Sequence, residues 1–103
     1  MRRGEVWWHQ RGDVKRRPVV ILTRDTAIDR LNKLMAAPIT TTVRGLASEV
    51  QVGPDDGLRH DSAVNLDNAT LIDKRELRER IASLGPAKMH ELCHALVAAT
   101  GCD

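Results

Sequence analysis

Two clusters in this 103-residue chain have side chains of the right types and spacing to hold an anion. The first is Lys15-Arg16-Arg17-Pro18, three cations delivered to a proline at the head of the apolar run Val19-Val20-Ile21-Leu22-Thr23. Proline biases the residue before it toward extended geometry, so the Arg17 backbone is expected to be fixed where a strand begins. A guanidinium held there suits a phosphate. The competing reading is a strand-end ion pair with Asp25 or Asp61. The second cluster is Thr40-Thr41-Thr42-Val43-Arg44-Gly45, hydroxyls at the end of an apolar strand followed by a cation and a glycine. Such hydroxyls form turns, and they also suit phosphate and sugar oxygens.

Two further motifs read as ordinary structure. His90-Glu91-Leu92-Cys93-His94 matches the H-E-x-x-H spacing of zinc hydrolases. On a helix, however, both histidines fall about 90–130° from the centre of the apolar stripe Met89, Leu92, Cys93, Leu96 and Val97. They are expected to face solvent or the rim of the core, with Cys93 a small buried thiol. No third ligand follows at metalloprotease spacing, so no metal is expected. Asp55-Asp56 lies in a Gly-Pro turn and reads as surface acids. There is no P-loop, no dinucleotide fingerprint and no G-x-S-x-G elbow.

The elements that must position these groups follow from the pattern. Gly4 to His9 reads as a strand whose adjacent Trp7 and Trp8 point to opposite faces. Residues 10–17 form a polar loop. Pro18 to Thr23 is apolar on both faces and therefore central in a sheet. Asp25 to Leu31 is a turn or one short helix. Lys33 to Thr40 is a third strand, with Pro38 marking an edge or a bulge. Ser48 to Val52 alternates as a strand, and a turn cluster spans Gly53–Gly57. Asp61–Leu66 and Ala69–Ile72 are two more strands around a tight turn at Asp67-Asn68. Arg78–Leu84 is either a strand or the continuation of a short helix from Lys74. Pro86 opens a closing amphipathic helix that Gly101 caps. The expected fold is mainly β with α, a small antiparallel sheet or barrel covered by one helix, in one domain over residues 1–103.

Net charge is only +2, but it is unevenly spread. Residues 1–45 hold ten Lys/Arg against four acids, a net of +6, and residues 46–103 hold six against ten, a net of −4. A basic half points to a polyanion partner. Two cysteines cannot form a disulfide framework, and no apolar 18-mer or signal peptide is present, so the chain reads as cytoplasmic with no membrane association.

Taken in order, Arg3-Gly4-Glu5-Val6-Trp7-Trp8, Arg16-Arg17-Pro18-Val19-Val20-Ile21-Leu22-Thr23-Arg24-Asp25 and Met35-Ala36-Ala37-Pro38-Ile39-Thr40 resemble the MazF/PemK family of toxin endoribonucleases. Asp61 to Asn68 and Thr70 to Lys74 resemble that family's later strands. The resemblance implies an SH3-like antiparallel barrel with added helices, a homodimer, and cleavage of single-stranded RNA without a metal or other cofactor. It also implies a cognate antitoxin that blocks the RNA groove. The family's catalytic Arg immediately precedes the strand-opening proline, which corresponds to Arg17. Its catalytic Thr ends the next strand, which corresponds to Thr40. On that reading Lys15, Arg16, Thr41 and Arg44 hold RNA, and His9 is a candidate titrating group beside them. The loop from His9 to Arg16 is shorter than in many members, so base preference does not carry over. Two other readings compete. Gyrase-poisoning toxins share the fold but rely on an aromatic-apolar tail that Thr100-Gly101-Cys102-Asp103 does not supply. A non-catalytic SH3-like binding module is the other.

Overall fold

The computed structural model describes residues 1–102. Seven strands form one sheet: β1 (Glu5–His9), β2 (Arg17–Ile21), β3 (Lys33–Thr40), β4 (Glu49–Val52), β5 (Ser62–Asn65), β6 (Thr70–Asp73) and β7 (Leu77–Ser83). Two helices join them, α1 (Asp25–Ile28) and α2 (Pro86–Thr100). Every strand pairing is antiparallel, in the order β4-β5-β3-β2-β1-β7, with β6 also on β3. The expected mainly β fold with a closing helix is what forms, but the path is open, with β4 and β7 at its ends. Those ends come close. Gly57, just past β4, has φ +91, and a Cβ there would stand 3.0 Å from the Ala82 side chain on β7. Glycine serves there twice, for its conformation and for the approach.

β3 organises the sheet. Its Ala36–Pro38 segment pairs with β2 on one edge, while the other edge takes β6 along Lys33–Ala36 and β5 along Ile39–Thr40. β5 and β6 are thus one line of chain, interrupted by the three-residue 3-10 turn Leu66–Asn68. The expected tight turn at Asp67-Asn68 is this insertion, and it does not fold β5 back onto β6. Pro38 falls in the interval between the two pairings, where β3 needs no ladder donor. The segment after β6 also resolves: a 3-10 turn at Lys74–Glu76 leads directly into β7.

The pleat gives the sheet two apolar faces. Val6, Val20, Leu22, Ala37, Ile39, Val50, Val52 and Val64 pack under α2 against Leu92 and Ala95. Val19, Ile21, Leu34, Ala36, Ile72 and Leu77 form a second cluster with Ile28 of α1, and Trp7 packs against it. The α2 stripe is rotated from its expected position. Leu92 and Ala95 are buried and Met89, Leu96 and Ala99 are partly covered, whereas Val97 is 38% exposed and Cys93 is exposed rather than buried. The small Ala95 and Ala99 bring the helix close along their own side, which leaves positions 93 and 97 at the margin.

Glu5 is a buried carboxylate on β1. Its Oε1 accepts from Trp7 Nε1 at 3.0 Å and from the Arg2 N–H at 2.9 Å, and Arg80 Nη1 lies 3.3 Å from Oε2. Burial pushes this carboxyl up, but the three donors together outweigh it and hold the group below the ordinary glutamate value. The unfolded chain therefore binds the proton more readily. Glu5 stabilises the fold above the unfolded value of about 4.3, and that contribution is lost as pH falls through the lower folded value. Glu5→Gln should lower the urea midpoint near neutrality and flatten its acid dependence below about pH 5; curves parallel to wild type would remove Glu5 from acid unfolding.

Candidate functional site

The face away from α2 carries most of the residues singled out above. His9 pairs with Arg17 in the β1–β2 ladder. Continuing the β2–β3 register two residues past Val19–Pro38 sets Thr40 across from Arg17. Opposed residues project to the same face with Cα atoms about 5 Å apart. His9 and Arg17 are direct cross-strand partners, and by that continuation Thr40 falls in one row with them on the same face.

Each member of the row is held differently. Arg17 is exposed, and among the described residues it makes no ion pair. Asp25 instead accepts from the Arg3 N–H at 2.7 Å. The backbone of Arg17 is fixed by the ladder while its guanidinium stays uncommitted. Thr40 is half-buried, and its Oγ1 accepts from the Thr42 N–H at 3.1 Å. The Thr40 hydroxyl proton is still free to donate. His9 Nε2 lies 3.0 Å from Glu76 Oε1, with the imidazole 21% exposed. An ionised carboxylate only accepts, so Nε2 carries a proton and Nδ1 of the neutral ring bears the lone pair.

Arg44 reaches this face through a crossover. β3 and β4 run parallel on either side of β5, so the chain between them must cross one face of β5. The Arg44 and Gly45 N–H groups both donate to Glu49 Oε1 at 3.0 Å. Glu49 is directly paired with Asn65, which alternates onto the same face as Ala63 and therefore Thr40. The crossing is pinned there, which accounts for the burial of Ala63 and Asn65. Thr41 opens the crossing and is exposed.

Arg16 is not brought into the row. Its guanidinium stacks 4.3 Å from the centre of the Trp8 ring, and Trp8 alternates away from Trp7 and His9. Consecutive arginines thus point to opposite sides of the sheet. Lys15 is exposed in the same loop. Sequence reasoning missed Glu76, which lies 67 residues from the histidine it orients. It also missed Glu49, whose alternation marked a strand but not a loop anchor. Arg80 was missed as well; it pairs with Trp7 in the β1–β7 ladder and its guanidinium is engaged with Glu5.

Two surface grooves lie elsewhere. One is apolar, between α2 and β3, lined by Met35, Leu66, Cys93, Leu96 and Val97. The other is lined by Asp55, Asp56 and Asp61 with Lys88, and its acids would repel a phosphate chain. The row itself is an open surface. No group of three or more metal-capable side chains occurs among the described residues. No helix there is long and apolar enough to cross a membrane.

A small bent sheet with an exposed guanidinium that makes no ion pair among the described residues, on the same face as a half-buried threonine hydroxyl, is suited to handling an anion. Comparison with known proteins makes the class specific. The profile of the PemK-like, MazF-like toxins of type II toxin-antitoxin systems matches residues 2–99, and the chain belongs to that family. It is 46% identical over 102 residues to a probable endoribonuclease MazF5 of Mycobacterium tuberculosis, covering 98% of this chain and 94% of the relative. It is 41% identical over 105 residues to a probable endoribonuclease MazF2 of the same species, covering 99% and 100%. Among solved structures, the Mycobacterium tuberculosis toxin MazF-mt6 superposes with a TM-score of 0.89 at 38% identity, covering 96% of this chain and 98% of that one. A mycobacterial endoribonuclease solved in complex with its cognate antitoxin superposes with a TM-score of 0.90 at 29% identity, covering 100% and 97%.

The Glu49 anchor is open to a direct check. Charge-assisted hydrogen bonds of this kind are worth roughly 1.5–3 kcal/mol. Glu49→Ala should speed amide exchange at Arg44 and Gly45 by about 10- to 100-fold while leaving the β3 amides protected. Unchanged exchange at those two amides would mean that Glu49 does not hold the crossing.

Proposed function

We propose that this chain is the toxin of a type II toxin-antitoxin pair, one domain spanning residues 1–103 that cleaves single-stranded RNA in the cytoplasm. The reading rests on the register row of His9, Arg17 and Thr40 in a member of this family. It acts as a homodimer and is silenced by a cognate antitoxin, as the antitoxin-bound mycobacterial relative suggests.

The chemistry follows from the donors available. The ribose 2′-OH attacks the neighbouring phosphorus, the P–O5′ bond breaks, and the products are a 2′,3′-cyclic phosphate and a 5′-OH. Charge gathers on the phosphoryl oxygens as the phosphorus becomes five-coordinate. Arg17 and the Thr40 hydroxyl oppose that charge from backbone positions that the sheet holds. No step is routed through a metal ion. Arginine stays protonated, so Arg17 is not the base. His9 is the nearest group able to take the 2′-OH proton at Nδ1, with Glu76 stabilising the imidazolium that results; the departing O5′ takes a proton from solvent water, and His9 returns its own to solvent. Lys15, Thr41 and Arg44 hold the flanking nucleotides, and Arg16, on the other side of the sheet, meets the strand where it wraps the loop between β1 and β2. A single strand is the substrate, because a small open face reads splayed bases rather than a duplex.

Removing one preorganised donor of this kind costs about 10²–10³ in rate. Arg17→Ala should slow cleavage of a long single-stranded RNA by that factor while the thermal midpoint stays near wild type. A loss of less than about tenfold would overturn the assignment of Arg17. Defined cuts bearing 5′-OH ends distinguish the nuclease from a gyrase poison or a silent binding module, neither of which cuts RNA.

Binding can be separated from cutting with an oligonucleotide of 2′-O-methyl riboses, which lacks the nucleophile. For a single strand each phosphate contact contributes about 0.7 to the slope of log K against log salt. Arg44→Ala and Arg16→Ala should each lower that slope by about this amount. If Arg16→Ala leaves it unchanged, the RNA keeps to the Arg17 face and Arg16 leaves the interface.

A further inference from the structure

His90 and His94 have no part in the proposed RNA chemistry, yet they are not independent surface residues. They stand one turn apart on α2, both exposed, with Nε2 atoms 3.2 Å apart. The rings are edge-to-face, with centroids separated by 4.7 Å and planes at 75°. In the neutral pair one Nε2 donates its proton to the lone pair of the other.

We infer that His90 and His94 form a two-imidazole site for one late first-row divalent transition ion. Nitrogen binds such ions at about 2.1 Å, and two nitrogens 3.2 Å apart at that distance subtend about 100° at the metal. That bite lies between the square-planar and tetrahedral angles, so the ion binds both Nε2 lone pairs once the donor ring moves its proton from Nε2 to Nδ1 and each ring turns by about 40°. The helix supplies the spacing in advance, as it does wherever two histidines four residues apart hold a metal. Imidazole selects copper, nickel and zinc over magnesium and calcium, which prefer oxygen. Glu91, the nearest carboxylate in sequence, is engaged with Lys88 at 3.7 Å. With no cluster of three metal-capable side chains among the described residues, water completes the coordination. The site is therefore a surface chelate on the C-terminal helix, and its existence does not depend on the RNA-cleaving reading.

The test is calorimetric titration of the full, untagged chain with nickel chloride, with magnesium as the control. Nickel should bind one ion per chain and magnesium should not bind. Chelation by two linked donors exceeds one donor by about 100-fold, so His90→Gln and His94→Gln should each lose about that factor. Both positions are exposed, so both variants should unfold at the wild-type midpoint without the ion. At 100 times its dissociation constant, nickel should lower the unfolded-to-folded ratio of the wild type about 100-fold and that of the variants only about twofold. Cys93→Ser with Cys102→Ser should bind nickel like wild type. Equal affinity in the His90→Gln variant, loss of binding in the cysteine variant, or no saturable binding at all would each overturn the inference.

Discussion

β3 is the constraint on which the rest of this molecule depends. It is the longest strand, with eight residues, and it lies between β2 on one edge and the β5–β6 line on the other. Hydrogen bonding along both edges fixes its register against three strands at once. A slip of one residue would move Leu34 and Ala36 out of one apolar cluster and Ala37 and Ile39 out of the other. Carried two residues beyond Val19–Pro38, the same register would set Thr40 opposite Arg17. Packing and site geometry are therefore one specification, and a change that loosened the core would also misplace the hydroxyl.

The pleat then divides labour between the two faces. α2 covers one face, leaving the other for the row and for the crossover that Glu49 pins over β5. This explains why neighbouring residues have unrelated surroundings. Arg16 stacks on an indole on one side, while Arg17 stands without an ion pair among the described residues on the other. An arginine with no protein partner keeps its donors free for a ligand, whereas an arginine on an aromatic ring has committed part of its surface. The contrast gives Arg17 the stronger physical claim to contact a phosphate.

Much of this was readable from the chain because the signals were local. The bounds of β3 follow from Lys33-Leu34-Met35-Ala36-Ala37-Pro38-Ile39-Thr40, and those of α2 from Pro86 and Gly101. What was not readable was mostly non-local. Asp67-Asn68 looks like a hairpin turn because turn residues report backbone bending and not which strand is the partner. Here β5 and β6 both pair with β3, so the bend became an insertion in one line. Cys93 was expected inside because Leu and Val outweigh Ala in any apolar stripe. The helix instead settled on its alanine side, where close approach buries more of the sheet. Glu76 gave no signal, since nothing in the sequence ties it to a histidine 67 positions away.

The division of charge also bears on how an RNA would lie. The acids of the second half are not scattered. Asp55, Asp56 and Asp61 line one groove beyond β4, while Glu49 and Glu76 turn inward to hold a loop and an imidazole. Glu49 and Glu76, the acids beside the row, are thus consumed as anchors, while Asp55 and Asp61 stand beyond β4 at the far edge of the sheet. A polyanion approaching the open face meets Arg17 and Arg44, with Glu49 and Glu76 already engaged. It is turned away at the aspartate groove. The small net charge conceals this, because it sums two populations that the fold has sorted: cations left free to bind, and acids either spent on internal structure or set aside as a boundary.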